Sequence, residues 1–393
     1  MSDGSLYDAV VKFAFPAYAL FVFGFFLAPR MPEHYEFFYW TLLPAAVLLV
    51  PRGYFLLRES RLLQLVLIYL LYMAASSLWS EAAATTDVLF GARLGLYVLA
   101  FILVSVVLLD AVPQRFEALL KASCFLAAMT AVAAMLVFFY ADRPYPAGRL
   151  HGLGRMEYII RTGYIFGFFA VLALYYLREE SRPVWRVAYG VMMVVLVTAV
   201  VLTQSRAAVT AFLLAAFVLI VSKYPKWVVP VFAAGLVVVA TAIWFLLPEV
   251  AAGLSRGAPY RPSIWLHYLS YTWATAPWFG HGLMTQWALI SPALPYREAH
   301  SAFVGTFRDG GLTGLLLLLA VVGYATVAAA RQSKIQPVHG CRSLALIGFL
   351  LICILANDER LLVRPQELWL YFWLVLGFVI AGEVRAAGRT RAG

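Results

Sequence analysis

The sequence predicts an all-α protein that crosses a membrane about twelve times and carries one long polar insert, at 248–300. Three observations carry this reading. The 393 residues are 63% hydrophobic and only 13% charged, against about 25% charged in a soluble domain. Mean hydropathy is +0.84, and the apolar runs repeatedly reach the roughly 20 residues needed to cross a bilayer as a helix. No stretch alternates with period two, which disfavours an outer-membrane barrel.

Twelve candidate spans follow in order, at 11–29, 35–50, 62–80, 88–109, 118–140, 159–177, 185–204, 206–221, 227–247, 301–330, 343–356 and 366–382. The first run is preceded by Asp3 and Asp8 and shows no small-residue cleavage site, so it is expected to stay as a helix. The tenth contains Gly305, Gly310, Gly311 and Gly314, which predicts a kink or break; the eleventh is short. The chain thus divides into 1–247 with spans one to nine, an insert over 248–300 with an amphipathic helix, and 301–393 with the last three spans and a tail. Cys124, Cys341 and Cys353 fit neither a metal site nor a disulfide framework and read as packing residues.

Lys and Arg collect in the cytoplasmic loops of membrane proteins. With the N-terminus inside, those loops hold Arg52, Arg58 and Arg61, then Arg115 and Lys121, Arg178, Arg182 and Arg186, Lys223 and Lys226, Arg331, Lys334 and Arg342, and the tail. The opposite face should lack them, yet it receives Arg143, Arg149, Arg155, Arg206, Arg256, Arg261, Arg297, Arg360 and Arg364. Of thirty basic residues only five are Lys, and the net charge is +10. An anionic ligand approached from that face accounts for the set, because the guanidinium fork suits phosphate. The competing reading is that single Arg side chains snorkel to lipid phosphates. The scatter of these residues argues against nucleic acid as a partner.

Three residues on that face are the candidates for carrying chemistry. Arg206, in LTQSRAAV, falls in the first turn of the eighth span with Ser205 as N-cap, and a helix N-terminus favours anions. Arg261 precedes Pro262, which marks a helix start, and Trp265, Tyr268 and Trp273 then supply an aromatic strip for sugar stacking or for an interfacial belt. His300 opens the tenth span; the positive end of the helix dipole should keep its ring neutral and able to accept a proton. A structural histidine at the interface is the alternative. His151, His267 and His281 are weaker contacts for a sugar. Arg308 and Asp309, at depth in the tenth span, read as an interior pair. No P-loop, dinucleotide fingerprint, Cys/His cluster or outer Asp-x-Asp pair occurs, so arginines rather than a metal would neutralise a leaving group, and no cofactor is expected.

These elements, LTQSRAA after a span, Arg261-x3-Trp265, Pro277-x-x-Gly280-x-Gly282, and His300 before GTFRDGGLTG, resemble in their order the O-antigen ligase and polymerase superfamily. These are bacterial inner-membrane glycosyltransferases acting on undecaprenyl-pyrophosphate-linked glycans. The twelve-span plan with a large periplasmic loop between spans nine and ten is similar too, and the resemblance implies a fold of the GT-C glycosyltransferase type. It is sharp over about 203–314.

The resemblance implies that Arg206 and Arg261 hold the pyrophosphate, that His300 activates the acceptor hydroxyl, and that transfer inverts the anomeric centre without a metal. Ser301 stands where the family often has Asn, and an Asn-Pro-Asn loop motif is missing near Arg149, His151 and Arg161. The implied activity is O-antigen ligation, in lipopolysaccharide biosynthesis: glycan passes from the undecaprenyl carrier to lipid A–core on the periplasmic face of a multi-pass inner-membrane protein in contact with membrane lipids. An O-antigen or exopolysaccharide polymerase would use the same donor. A polytopic lipid or glycan transporter would instead show internal repeats and mid-membrane charges.

Overall fold

The structure is a computed structural model that describes residues 3–81, 84–140, 148–222, 260–287, 290, 297–357 and 360–392. Among the described residues the only regular elements are helices, with no strand. The helices are α1 Asp3–Leu27, α2 Met31–Leu48, α3 Val50–Glu59, α4 Arg61–Ala75, α5 Thr85–Ala111, α6 Pro113–Tyr140, α7 Ile159–Glu179, α8 Pro183–Leu202, α9 Arg206–Val221, α10 Tyr260–Thr275, α11 Ala302–Ile335, α12 Pro337–Ala356 and α13 Leu374–Ala392. Nine helices of the described residues are long and apolar enough to cross a membrane, and the bent pair α2–α3 passes the same test together. The apolar α9 is shorter, at 16 residues. The ninth predicted span, 227–247, lies outside the described residues, as do Arg143 and Arg256.

Two boundaries differ from the sequence reading for identifiable reasons. The second run does not end in a basic loop at 52–61; it bends by 67° and continues as α3. Pro51 lacks an N–H and its ring crowds the carbonyl four residues back, so the bend falls there, while Arg52 of α3 pairs with Asp110 at 2.9 Å. The eleventh span is not short, because the polar stretch PVHGCRS already belongs to α12. Arg342 is tolerated there through two bonds to the Glu117 carboxylate, at 2.8 and 3.0 Å. Gly340 lets α12 start against the end of α11, since a Cβ would stand 2.2 Å from the Ser333 nitrogen.

A helix apolar on every side belongs in the middle of a bundle. α5, α7 and the 369–388 segment leading into α13 are the most buried spans, and α8 is the most outward-facing. Phe21, Phe38 and Phe101 surround Trp369, with ring centroids 4.9–6.1 Å from its indole. Trp369 and Trp373 are fully buried, and each satisfies its indole N–H on a carbonyl of the preceding segment: Val363 and Leu361, both at 3.2 Å. Those bonds pin 361–363 to the core.

α11 breaks as its glycines predict. Gly311 has φ +63° and ψ −164°, a conformation closed to any residue with a Cβ. The 277–282 loop docks on the break main chain to main chain. His281 and Gly282 donate to the carbonyls of Arg308 and Asp309, at 3.0 and 2.7 Å, and Leu312 and Thr313 donate to those of Pro277 and Trp278, at 2.8 and 3.2 Å. Gly280, at φ +67°, would place a Cβ 2.4 Å from the Gly311 nitrogen. The Pro-x-x-Gly-x-Gly motif is therefore the partner of the glycine break in α11.

Candidate functional site

The turn between α8 and α9 is the first part of the site. Gln204 adopts φ +52°, unusual for a residue with a side chain, and reverses the chain so that α9 begins at Arg206. Ser205 occupies the N-cap position but its side chain makes no capping bond, which corrects the expected cap. The turn is held from outside: Arg149 Nε donates to the Thr203 carbonyl at 2.9 Å, Gln204 Nε2 to Gly148 at 3.1 Å, and the Leu150 N–H to Leu202 at 3.0 Å. It also presses on α7, where a Cβ at Gly163 would meet Thr203 and Ala208 at 3.0 and 3.1 Å.

The second part is α10 with the segment entering α11. Trp265 donates its indole N–H to the Ala299 carbonyl at 3.0 Å, and Tyr268 its hydroxyl to the Arg297 carbonyl at 2.8 Å. Ile264, Tyr268, Ala299 and Val304 form a small apolar core beneath. Between the two anchors and the helix stands His300, at φ +49°. It precedes the N-cap Ser301 rather than lying inside the first turn, and Ser301 makes no side-chain capping bond. The His300 pKa lies below the ordinary histidine value; burial is the main cause, Glu298 opposes it, and the Arg261 charge adds to it. Glu298 Oε2 is 3.9 Å from Nδ1, and His300 is 30% exposed. A neutral imidazole held by a left-handed backbone can accept a proton.

His300 lines a cavity of about 960 Å³. Around it stand Arg149 from the loop after α6, Glu157, Tyr158 and Arg161 at the start of α7, Thr285, Gln286 and Trp287 from the loop after α10, Arg297 and Glu298, and Asn357, Arg360 and Gln366 from the segment after α12. Four arginines thus reach one cavity from three stretches far apart in sequence, 149–161, 297 and 360. Among the described residues no three His, Cys, Asp or Glu side chains converge as a metal site would.

The sequence-predicted residues divide accordingly. His300 and Arg149 line the cavity together. Arg261 lies close enough to bear on the His300 charge. Arg206 opens α9 on the turn that Arg149 grips but does not line the cavity. Trp265 spends its N–H on positioning the backbone before His300. His281 is buried, with Nε2 3.0 Å from the Thr275 hydroxyl and Nδ1 3.3 Å from Glu81, stacked on Tyr271. His267 stacks on Tyr271 from α10, and His151 meets its neighbour's carbonyl; neither lines the cavity. Arg155 leaves the outward-facing set: it is 1% exposed, paired with Glu367 at 3.2 Å and in contact with His34. Arg161, Arg297 and Arg360 are the residues that sequence reasoning did not place in the site. Arg297 and Arg360 carried a signal, as cations on the face that topology leaves poor in them.

Residues 191–319 match a family model described as O-antigen ligase. The match runs from within α8 through the 203–206 turn, α10 and the 277–282 loop to the glycine break of α11, and so takes in Arg206, Arg261 and His300. No curated protein matches the chain.

Proposed function

We propose that this chain, whose residues 191–319 match a family model described as O-antigen ligase, transfers glycan from an undecaprenyl-pyrophosphate carrier to lipid A–core, by inversion and without a metal. In this reading the chain crosses the bacterial inner membrane twelve times, counting the bent α2–α3 pair, α9 and the 227–247 run, and the His300 cavity faces the periplasm. The acceptor hydroxyl oxygen bonds to C1 of the donor sugar as the C1–O bond to pyrophosphate breaks. The electron pair leaves with undecaprenyl pyrophosphate, and the hydroxyl proton passes to a ring nitrogen of His300. Arg206 and Arg261 hold the pyrophosphate, and the sugars extend past Arg149 and Trp265, with His151 and His267 as outer contacts; His281, buried against Thr275 and Tyr271, is not one of them.

One observation carries this reading: a histidine whose pKa is lowered lines the same cavity as four arginines. The first is what a general base needs and the second is what a pyrophosphate needs. The test is transfer by purified protein from an undecaprenyl-pyrophosphate glycan, with and without lipid A–core, for wild type and His300→Ala. Glycan on lipid A–core with wild type alone supports ligation. Longer carrier-linked chains without that acceptor would make the protein a polymerase, and no transfer to either would remove the reading.

A further inference from the structure

The geometry points to Arg360 as an anion-holding side chain of the His300 cavity, aimed there by the buried carboxylate of Asp309, with the donor's pyrophosphate as its ligand. The identity of that ligand rests on the function proposed above. Asp309 lies on α11 immediately before the glycine break and is 1% exposed. Its carboxylate takes two bonds from Arg308, Nε at 2.8 Å and Nη2 at 3.2 Å, and a third from Arg360 Nε at 2.8 Å.

The two arginines that share this carboxylate are not equivalent. Arg308 is fully buried between the rings of Tyr268 and Trp287, 5.0 and 4.8 Å from their centroids. It is locked to the protein interior and does not line the cavity. Arg360 is 31% exposed and does line it. One carboxylate cannot neutralise two guanidinium groups, so the cluster retains a positive charge, and Arg360 is the member that faces the cavity.

The arm is also stiff. Trp373 and Trp369 hold the carbonyls of Leu361 and Val363, and the Thr285 carbonyl lies 3.4 Å from Arg360 Nη2. A guanidinium fixed at Nε presents its outer edge as a pre-oriented fork, the form in which Arg binds phosphate oxygens in pairs. With Arg149, Arg161 and Arg297 lining the same cavity, four guanidinium groups face the two carboxylates of Glu157 and Glu298, and the positive excess suits a ligand of more than one negative charge.

The test measures binding without transfer. Full-length protein in lipid nanodiscs is titrated with undecaprenyl pyrophosphate and with undecaprenyl phosphate and read by native mass spectrometry. Wild type should prefer the pyrophosphate. Arg360→Gln should lose about tenfold or more in affinity for it, and Arg360→Lys should fall between, because a charge-assisted paired bond contributes on that scale. Arg364→Gln, which removes a charge four residues away where the side chain lies over Tyr35 and Phe90, should bind as wild type. Asp309→Asn, if its melting curve matches wild type, should lose the preference for pyrophosphate over phosphate; if it does not fold, the two Arg360 variants decide. Wild type that ignores undecaprenyl pyrophosphate, or Arg360→Gln and Arg360→Lys that bind it normally, would overturn the assignment. Absence of glycan transfer alongside the expected binding pattern would remove the proposed activity and leave this site standing.

Discussion

The indole N–H of Trp265 meets the carbonyl of Ala299 at 3.0 Å, so a residue of α10 fixes the backbone immediately before His300. Trp265→Phe keeps the apolar body and deletes this bond. Leaving a buried carbonyl unpaired costs about 1–3 kcal/mol, and His300 sits in a backbone conformation that needs outside support. The expected outcome is a kcat lowered roughly tenfold with little change in KM for either substrate. If Trp265 instead stacks on a sugar, the loss will fall on KM, and steady-state kinetics with each substrate varied separates the two.

The pH dependence follows from the groups around His300. Its folded pKa lies below the ordinary value, chiefly through burial. The base is therefore neutral and competent at pH 7, and the acidic limb of kcat/KM should lie below about 6.5, the unperturbed histidine value. The Arg261 charge also lowers this pKa, so Arg261→Gln should move the limb upward; Glu298 raises it, so Glu298→Gln should move it downward. Stability has the same sign. The unfolded chain binds the proton more tightly, so His300 costs stability as pH falls from the ordinary value through the lowered one, and none above it. A pH–rate profile whose acidic limb is indifferent to both variants would exclude His300 as the titrating base.

The spans were legible because the bilayer demands length and apolarity at once. α7, α8 and α9 begin within two residues of their expected starts, at Ile159, Pro183 and Arg206. The α11 break was legible from its glycines, and the Arg308–Asp309 pair from the cost of charge at depth. Pairing between distant segments was not. Charge asymmetry put Arg155 and Arg360 in one outward set, yet Glu367 takes Arg155 into the interior while Asp309 turns Arg360 to the cavity. Both partners lie far along the chain, and nothing local distinguishes the two arginines. Trp265 is a similar case: its spacing from Arg261 marks a helix face, but whether the indole stacks on a sugar or holds a carbonyl depends on where 297–300 returns.

Arg206 and Arg261 offer a contrast between charge and shape. Arg206→Lys and Arg261→Lys keep the charge but replace the planar fork with a point charge. If both hold pyrophosphate, kcat/KM for the carrier-linked donor should fall about 10–100-fold in each, the scale of a charge-assisted paired bond. Arg261→Lys should leave the acidic limb of the pH profile in place, since the charge near His300 is retained. Activity equal to wild type in both variants would end the pyrophosphate role of these two residues.

Metal dependence can be tested directly. Transfer should persist after exhaustive treatment with EDTA, because the proposed neutralisation of the leaving group is by arginine. Loss of activity that added Mg²⁺ restores would contradict that mechanism.

The contact between the 277–282 loop and the α11 break makes a prediction about folding that is independent of chemistry. Gly280→Ala and Gly311→Ala each introduce a methyl into a main-chain contact, 2.4 Å from the Gly311 nitrogen in the first and 2.4 Å from the Trp278 carbonyl group in the second. Both also force a Cβ onto a positive φ. The neighbouring atoms are backbone, so they cannot move aside as a side chain would, and the loop's four hydrogen bonds to α11 are lost with the contact. Each substitution should cost more than about 4 kcal/mol, read as loss of monodisperse protein on size exclusion in detergent. Gly323→Ala is the control. It lies in the same helix with nothing within 4 Å of its Cβ, and it should be neutral or stabilise by up to about 1 kcal/mol through helix propensity. If Gly280→Ala and Gly311→Ala purify and melt as Gly323→Ala does, the docked loop is not what holds the break.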